Sequence, residues 1–429
     1  MAQKLKVLFV PIDAIGHVNA AIGIAQVLLD AGHQCLFAIN TQWKGRLTKY
    51  GIEEVLIAQD DRPTDVDPAQ HWADLFVNGG GIKDTTPLET AINISTKLTP
   101  HFNEQMKGLD VIVDGLLRDI RPDVVIVDQV RCIPALELSG IPWVATCSFN
   151  QLFFIPDERT PPYFSGLSIT SPKSEWKAFK DAINSAEYAG WKTFNDWVVS
   201  RGIPPLEANR FNRDSKYLNI YGFPLELDYS DIRPLPPKWH RFDNLKRTEL
   251  QDTFEIPVQL RDRPGKLIYF SMGSMGGTDV ENMKRLVTIL SKSKHRFIVS
   301  KGPKHSEYEL SDNMWGAATV PQIQVLPLVD LVVTHGGNNT ITETFYFGKP
   351  MIVMPLFGDQ NDNAQRVEDK GFGIRLDAYQ CSESELLTAI DKLLNDKKLI
   401  ENLKTISKRI QSDNSIAKLP ELIEGLVKH

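Results

Sequence analysis

Thr334-His335-Gly336-Gly337-Asn338-Asn339-Thr340, followed downstream by Pro355-Leu356-Phe357-Gly358-Asp359-Gln360, decides how this 429-residue chain is read. Leu331–Thr334 is an apolar run of strand length, and Thr340–Phe347 has the apolar spacing of a helix. Two glycines between them let the backbone approach a ligand closely. Free amides at the helix start, with the helix dipole, suit a phosphate. Asn339 and Thr340 add side-chain donors at that helix start, and His335 adds another donor or a positive charge. Glu343 falls one turn on, on the face of Asn339 and Thr340. A carboxylate there can accept both hydroxyls of a ribose. Asp359 beside Gln360 offers acceptors and a donor to adjacent sugar hydroxyls. Taken singly, each residue has a blander role as a turn glycine or a helix cap. In this order they point to a nucleotide-sugar site.

Working outward, short apolar runs alternate with helical patterns, the mark of parallel sheet covered on both faces. Val7–Pro11, Cys35–Ile39, Val124–Val127 and Trp143–Thr146 read as strands of a first system, with a helix over Asn19–Leu29. Lys266–Ser271, Arg296–Ser300, Leu331–Thr334 and Met351–Pro355 read as strands of a second. The Pro-rich, charged stretch around Asp231–Pro237 has linker composition. The expected organisation is a first domain over 1–235, a linker over 236–264 and a second domain over 265–400. Helices over 401–429 are expected to pack back on the first domain.

A formal charge of −6 leaves no basic footprint for a nucleic acid. Cys35, Cys132, Cys147 and Cys381 lack metal-ligand spacing and read as buried thiols of a reducing compartment. The first apolar run is too short for a signal sequence, and no run reaches the length of a membrane span. A soluble cytoplasmic protein is expected, with no membrane partner; the oligomeric state is not legible.

In the first half, Ile12-Asp13-Ala14-Ile15-Gly16-His17 follows the first strand, and Asp128 ends the run Asp123–Val127. Transfer to a hydroxyl needs a base that titrates near neutrality, and imidazole is the natural choice. A carboxylate would orient it and balance the imidazolium. On their own, a loop histidine and an aspartate after a strand are more often structural. Asp13 and Asp114 are weaker candidates for the same partnership.

The run His335-Gly-Gly-Asn-Asn339-Thr340…Glu343…Gly348-Lys-Pro350…Pro355…Asp359-Gln360 resembles the donor-binding signature of the UDP-glycosyltransferases. The resemblance extends to Val320-Pro321-Gln322 and to Phe270-Ser271-Met272-Gly273-Ser274, and covers nearly the whole chain. Met354–Asn363 is similar to arthropod and vertebrate members. Without their leader and terminal membrane helix, the sequence looks like a soluble arthropod member of the kind found in mites. The resemblance implies two Rossmann-like α/β domains facing across a cleft, the GT-B arrangement. It implies Ser274, His335, Asn339 and Thr340, with the backbone at Gly337, on the diphosphate and Glu343 on the ribose. Val320 and Gln322 would contact the base, and Asp359 and Gln360 the transferred sugar. His17 would be the catalytic base and Asp128 its partner. The family usually carries Trp two residues before the Pro-Gln, where this chain has Thr319, which leaves uridine and thymidine both open.

The reaction so implied is a single displacement with inversion, a hexose passing from a UDP-sugar, glucose on the strength of Gln360, to a small hydroxylated acceptor. Amides and side chains would neutralise the leaving group, so neither metal nor cofactor is expected; Asp65-Val66-Asp67 follows no strand. Trp72, Phe76, Phe149, Phe153, Phe154 and Tyr163 point to a pocket for a flat lipophilic acceptor such as a flavonoid, another phenol or a xenobiotic. A nicotinamide dehydrogenase would need the Gly-x-Gly-x-x-Gly that the first strand lacks. An epimerase or a silent nucleotide-sugar-binding protein are the alternatives.

Overall fold

The computed structural model describes residues 4–58, 68–78, 82–83, 85–248 and 253–427. Among the described residues, strands β1 (Lys6–Pro11), β2 (Gln34–Asn40), β3 (Glu53–Ile57), β4 (Val124–Asp128), β5 (Trp143–Cys147), β6 (Leu218–Gly222) and β7 (Trp239–Phe242) form one sheet. Its order is β3-β2-β1-β4-β5-β6-β7, and every pairing is parallel. A second parallel sheet holds β8 (Leu267–Ser271), β9 (Arg296–Ser300), β10 (Met314–Ala317), β11 (Leu331–Thr334), β12 (Met351–Val353) and β13 (Gly373–Arg375). Its order is β10-β9-β8-β11-β12-β13. The α/β reading with two Rossmann-like sheets therefore holds.

The apolar runs form central strands because helices cover both faces of each sheet. In β1 successive side chains alternate between two cores: Val7 and Phe9 join one cluster, Leu8 and Val10 the other. The strands not foreseen are mostly at the margins. Glu53–Ile57 and Gly373–Arg375 are only partly buried, so selection for continuous hydrophobicity is weak there. Trp239–Phe242 lies inside the stretch read as linker, yet it is an edge strand of the first sheet, its two end residues buried, His240 exposed and Arg241 partly buried.

In both sheets the chain order reverses at one point, between β1 and β4 in the first and between β8 and β11 in the second. Open α/β sheets bind ligands in the crevice at such a reversal, outside the carboxyl ends of the strands. His17 follows β1 and Asp128 ends β4; Ser274 follows β8 and His335 follows β11. Both halves of the expected site thus stand at switch points.

Towards the carboxyl end, Leu403 and Ile410 of the helix Lys397–Ser412 belong to the core of the second sheet. Arg409 of the same helix binds Glu226 and Asp243 of the first half, at 2.8 Å each. Leu419 and Ile423 of the helix Leu419–Glu424 are buried with Ile22 and Leu28 against the first sheet. All four cysteines are buried free thiols. Among the described residues no helix is long and apolar enough to cross a membrane.

Candidate active site at the facing strand ends

The helix after β1 starts at Ile15, so His17 sits in its first turn rather than in a loop. Adjacent parallel strands bring Pro11 opposite Asp128, and the backbone N–H of Ile12 donates to the Asp128 carbonyl at 3.0 Å. That register places the two side chains together: His17 Nδ1 lies 2.7 Å from Asp128 Oδ2. Asp128 is 2 % exposed and His17 13 %, so the carboxylate is enclosed while one edge of the ring is reachable. Ser148, just past β5, completes the cluster. Its hydroxyl donates to Asp128 Oδ2 at 2.5 Å and stands 2.6 Å from His17 Nδ1. With Nδ1–H directed at these acceptors, Nε2 carries the lone pair. Phe149 packs edge-on against the ring at 4.7 Å and limits its rotation.

The rival acids are engaged elsewhere. Asp13 accepts from Asn40 and from the Trp43 indole, and Asp114 pairs with Arg118 on the helix Thr99–Ile120. Asp65 and Asp67 lie outside the described residues. Among the described residues no three His, Cys, Asp or Glu side chains gather as a cation site.

On the opposite side, Gly337 caps the helix Asn338–Tyr346, and Gly336 adopts φ +87°, a conformation that favours glycine. His335 is wedged between two glycines. A Cβ on Gly273 would come within 2.5 Å of its ring, and one on Gly337 within 2.6 Å. Burial pushes the His335 imidazole down to about 4, so near neutrality it acts as an uncharged donor. Ser274 lies in the short helix Gly273–Gly276 facing this turn.

Glu343 is 2 % exposed and held from two sides. Arg247 Nη1 stands 3.3 Å from Oε1, and Gln322 Nε2 donates to Oε2. Gln322 also donates to Thr340 Oγ1 at 3.3 Å and accepts from the Tyr269 hydroxyl at 3.2 Å. Gln322, Thr340 and Glu343 therefore form one network, to which Arg247 comes from the stretch read as linker. Val320 is buried immediately before it. Thr319 is exposed, and the Trp315 ring packs on Phe254 at 5.7 Å.

Asp359 opens the helix Asp359–Asp369 after Gly358, whose φ is +60°. Burial pushes its carboxyl up to about 6, opposed by the Asn150 N–H, which it accepts at 2.9 Å, and by nearby His17. Gln360 turns its carbonyl oxygen to the amides of Leu356 and Phe357, which leaves its NH₂ as a donor. Asn339 Nδ2 donates to the Gly16 carbonyl at 2.7 Å. The two sets of residues thus face each other across one cleft.

Of the six aromatic residues expected at the acceptor, Trp72, Phe76, Phe149, Phe153 and Tyr163 are half-buried. Phe154 is not among them: it is 4 % exposed and packs on Trp239 in the core. Phe76 reaches across to stack on Phe357, ring centres 5.1 Å apart. Ser148, Arg247 and Phe357 were not foreseen. Ser148 alone had a signal, an alcohol at a strand end beside the switch point.

Residues 243–421 match the family model described as UDP-glucoronosyl and UDP-glucosyl transferase. A sterol 3-beta-glucosyltransferase of Eremothecium gossypii is 24% identical over 419 residues, 95% of this chain and 33% of that protein. One of Komagataella phaffii is 24% identical over 437 residues, 97% of this chain and 34% of that protein. The chain spans about a third of the length of these curated relatives. Among solved structures, a glycotransferase of kitacinnamycin superposes with a TM-score of 0.70 at 19% identity, covering 99% of this chain and 100% of its own. The spinosyn rhamnosyltransferase in complex with thymidine diphosphate gives 0.66 at 18% identity, over 98% of this chain and 100% of its own. The signature turn lies in the second half, which matches the UDP-glucoronosyl and UDP-glucosyl transferase family model, and sterol 3-beta-glucosyltransferases are similar to the chain along nearly its whole length.

Proposed function

We propose that this chain transfers a hexose from a UDP-sugar to a hydroxyl of a small lipophilic acceptor, with inversion at the anomeric carbon. The observation that carries the reading is the His17–Asp128 pair, 2.7 Å apart, facing Asp359 and Asn339 across the cleft. Nε2 of His17 takes the acceptor proton as the acceptor oxygen bonds to the anomeric carbon and the bond to the diphosphate breaks. Asp128 balances the imidazolium that forms, and Ser148 holds the carboxylate in place. The departing diphosphate meets the amides at the start of the helix Asn338–Tyr346 and the neutral His335 donor, a fixed arrangement that needs no reorganisation. In this reading the charge is neutralised by the protein itself, without a metal ion.

Glucose is favoured as the sugar by the Gln360 donor and by the glucosyltransferase relatives. The acceptor class follows from the aromatic wall, which fits a flat molecule: a phenol, a xenobiotic alcohol or, as the relatives' names indicate, a sterol. Thr319 removes a ring whose stacking on a base contributes about 1–3 kcal/mol. UDP-sugar and thymidine diphosphate-sugar are therefore to be compared directly.

The test is to incubate the protein with UDP-glucose and a panel of phenols and sterols, with and without a chelator, measuring UDP release and product mass. Acceptor-dependent release that survives the chelator supports the reading. If UDP-glucose fails to bind, or UDP appears without any glycosylated product, the reading falls.

A further inference from the structure

Two walls lead away from the catalytic pair into the first domain. Along one, Phe149 packs on His17 at 4.7 Å, Phe153 on Phe149 at 5.9 Å and Tyr163 on Phe153 at 5.2 Å. That wall ends at Glu187, whose Oε2 accepts from the Tyr163 hydroxyl at 3.2 Å. Along the other, the Trp72 indole donates to the Asp13 carbonyl at 2.5 Å, and its ring lies 6.2 Å from Phe102. That wall ends at Arg131, whose guanidinium stands over Phe102 at 5.2 Å and Phe211 at 4.6 Å. Arg131 and Glu187 are near enough for each to act on the other's charge. The first wall therefore begins at His17 and the second at the Asp13 carbonyl, and they end at Glu187 and Arg131.

An apolar acceptor would need no such end. A carboxylate has roughly four lone-pair directions. Two of those at Glu187 are used, one by Tyr163 and one by Ser95 Oγ at 3.3 Å. Arg131 gives Nε–H to Asn103 Oδ1 at 3.0 Å, and its guanidinium stands over the two rings. Burial pushes the Glu187 carboxyl up to about 7, opposed by Tyr163, Ser95 and Arg131. Each Glu187 oxygen thus holds one donor and keeps a second lone pair, which a hydroxyl can fill.

We infer that the two walls end in a second recognition site, in which Glu187 and Tyr163 hold a hydroxyl at the far end of the acceptor from the one that receives the sugar. The inference rests on the transferase reading above and narrows its substrate class from flat lipophilic alcohols to flat molecules with hydroxyls at both ends. Acceptors with a single hydroxyl gain no hydrogen bond at this end and are weaker substrates.

A matched pair of aromatic acceptors tests this: one skeleton with a hydroxyl at one end, and the same skeleton hydroxylated at both. Acceptor binding is followed by quenching of tryptophan fluorescence, and turnover by UDP release from UDP-glucose. The wild type is expected to favour the diol by roughly tenfold or more in both readouts. Glu187→Leu and Tyr163→Phe should each bring the ratio close to one, and an unchanged melting temperature shows that the variants are folded. Equal treatment of the two acceptors by the wild type, or a preference that survives in both variants, overturns the inference. A diol preference in binding without any turnover would leave this site standing and sink the transferase reading instead.

Discussion

The two halves of the cleft are built on the same plan and assembled differently. The donor half draws most of its site from one continuous stretch, His335 to Gln360, in which two strand ends and two helix starts follow within a few turns of chain. The acceptor half collects His17, Trp72 and Asp128 from three separate elements, and Ser148 and Tyr163 from the connection after β5, which only the folded sheet brings together. The donor half also binds its charge internally, Glu343 between Arg247 and Gln322, with His335 neutral. The catalytic pair keeps one edge of the imidazole open to the cleft. In the proposed reading, one half holds a ligand of fixed shape and the other moves a proton. Loss of binding and loss of chemistry should therefore separate by domain.

Outside His17 itself, the largest effect is expected at Asp128. Asp128→Asn should lower kcat by roughly 10²–10⁴-fold, because the amide neither orients the ring nor balances its charge. UDP binding, measured by calorimetry, should be unchanged. A matching fall in affinity would break the separation.

Glu343→Gln addresses the other half. Hydrogen bonds to a charged group contribute about 1.5–3 kcal/mol, so donor KM should rise roughly 10- to 150-fold. The wild-type kcat should persist at saturating donor. A loss in kcat alone would place Glu343 on the wrong side of the comparison. Ser148→Ala should have a smaller effect, a few-fold in kcat, since Asp128 keeps its bond to His17 without the hydroxyl. It should show as a displaced pH–rate profile with unchanged donor KM.

The smallest effect concerns how the halves are joined. Asp362 accepts from the N–H groups of Phe164 and Gly166 at 2.6 and 3.0 Å, and burial pushes its carboxyl up to about 8. Between the ordinary value of 3.8 and about 8 the folded chain holds a proton that the unfolded chain has released. Stability from this group therefore falls as pH rises through that window. Asp359, pushed up to about 6, acts in the same direction over the lower part. Tm should decline between pH 5 and 8, and Asp362→Asn should flatten the decline. An unchanged slope would remove Asp362 as its source.

The same contrast explains what could be read before folding. Leu331–Thr334 and Val7–Pro11 are central strands with two covered faces, so their apolar runs stand out. Edge strands such as Glu53–Ile57 bury less and carry no such mark. His335, Asn339, Glu343 and Asp359 were legible because turn chemistry and helix periodicity fix their relation locally. Arg247 reaches Glu343 from 96 residues away in a segment of linker composition, and nothing local announces it. Phe154 was misplaced because an aromatic cluster after a strand does not reveal which rings face the core. Ser148 is bound into the pair by the register of β4 and β5, which the sequence of either strand leaves open.

The most direct test measures binding and transfer on one variant, His17→Ala. The account predicts that UDP affinity by calorimetry stays within about twofold of the wild type while acceptor-dependent UDP release falls by roughly 10²-fold or more. Transfer at near wild-type rate, or an equal loss of UDP binding and transfer, would contradict it.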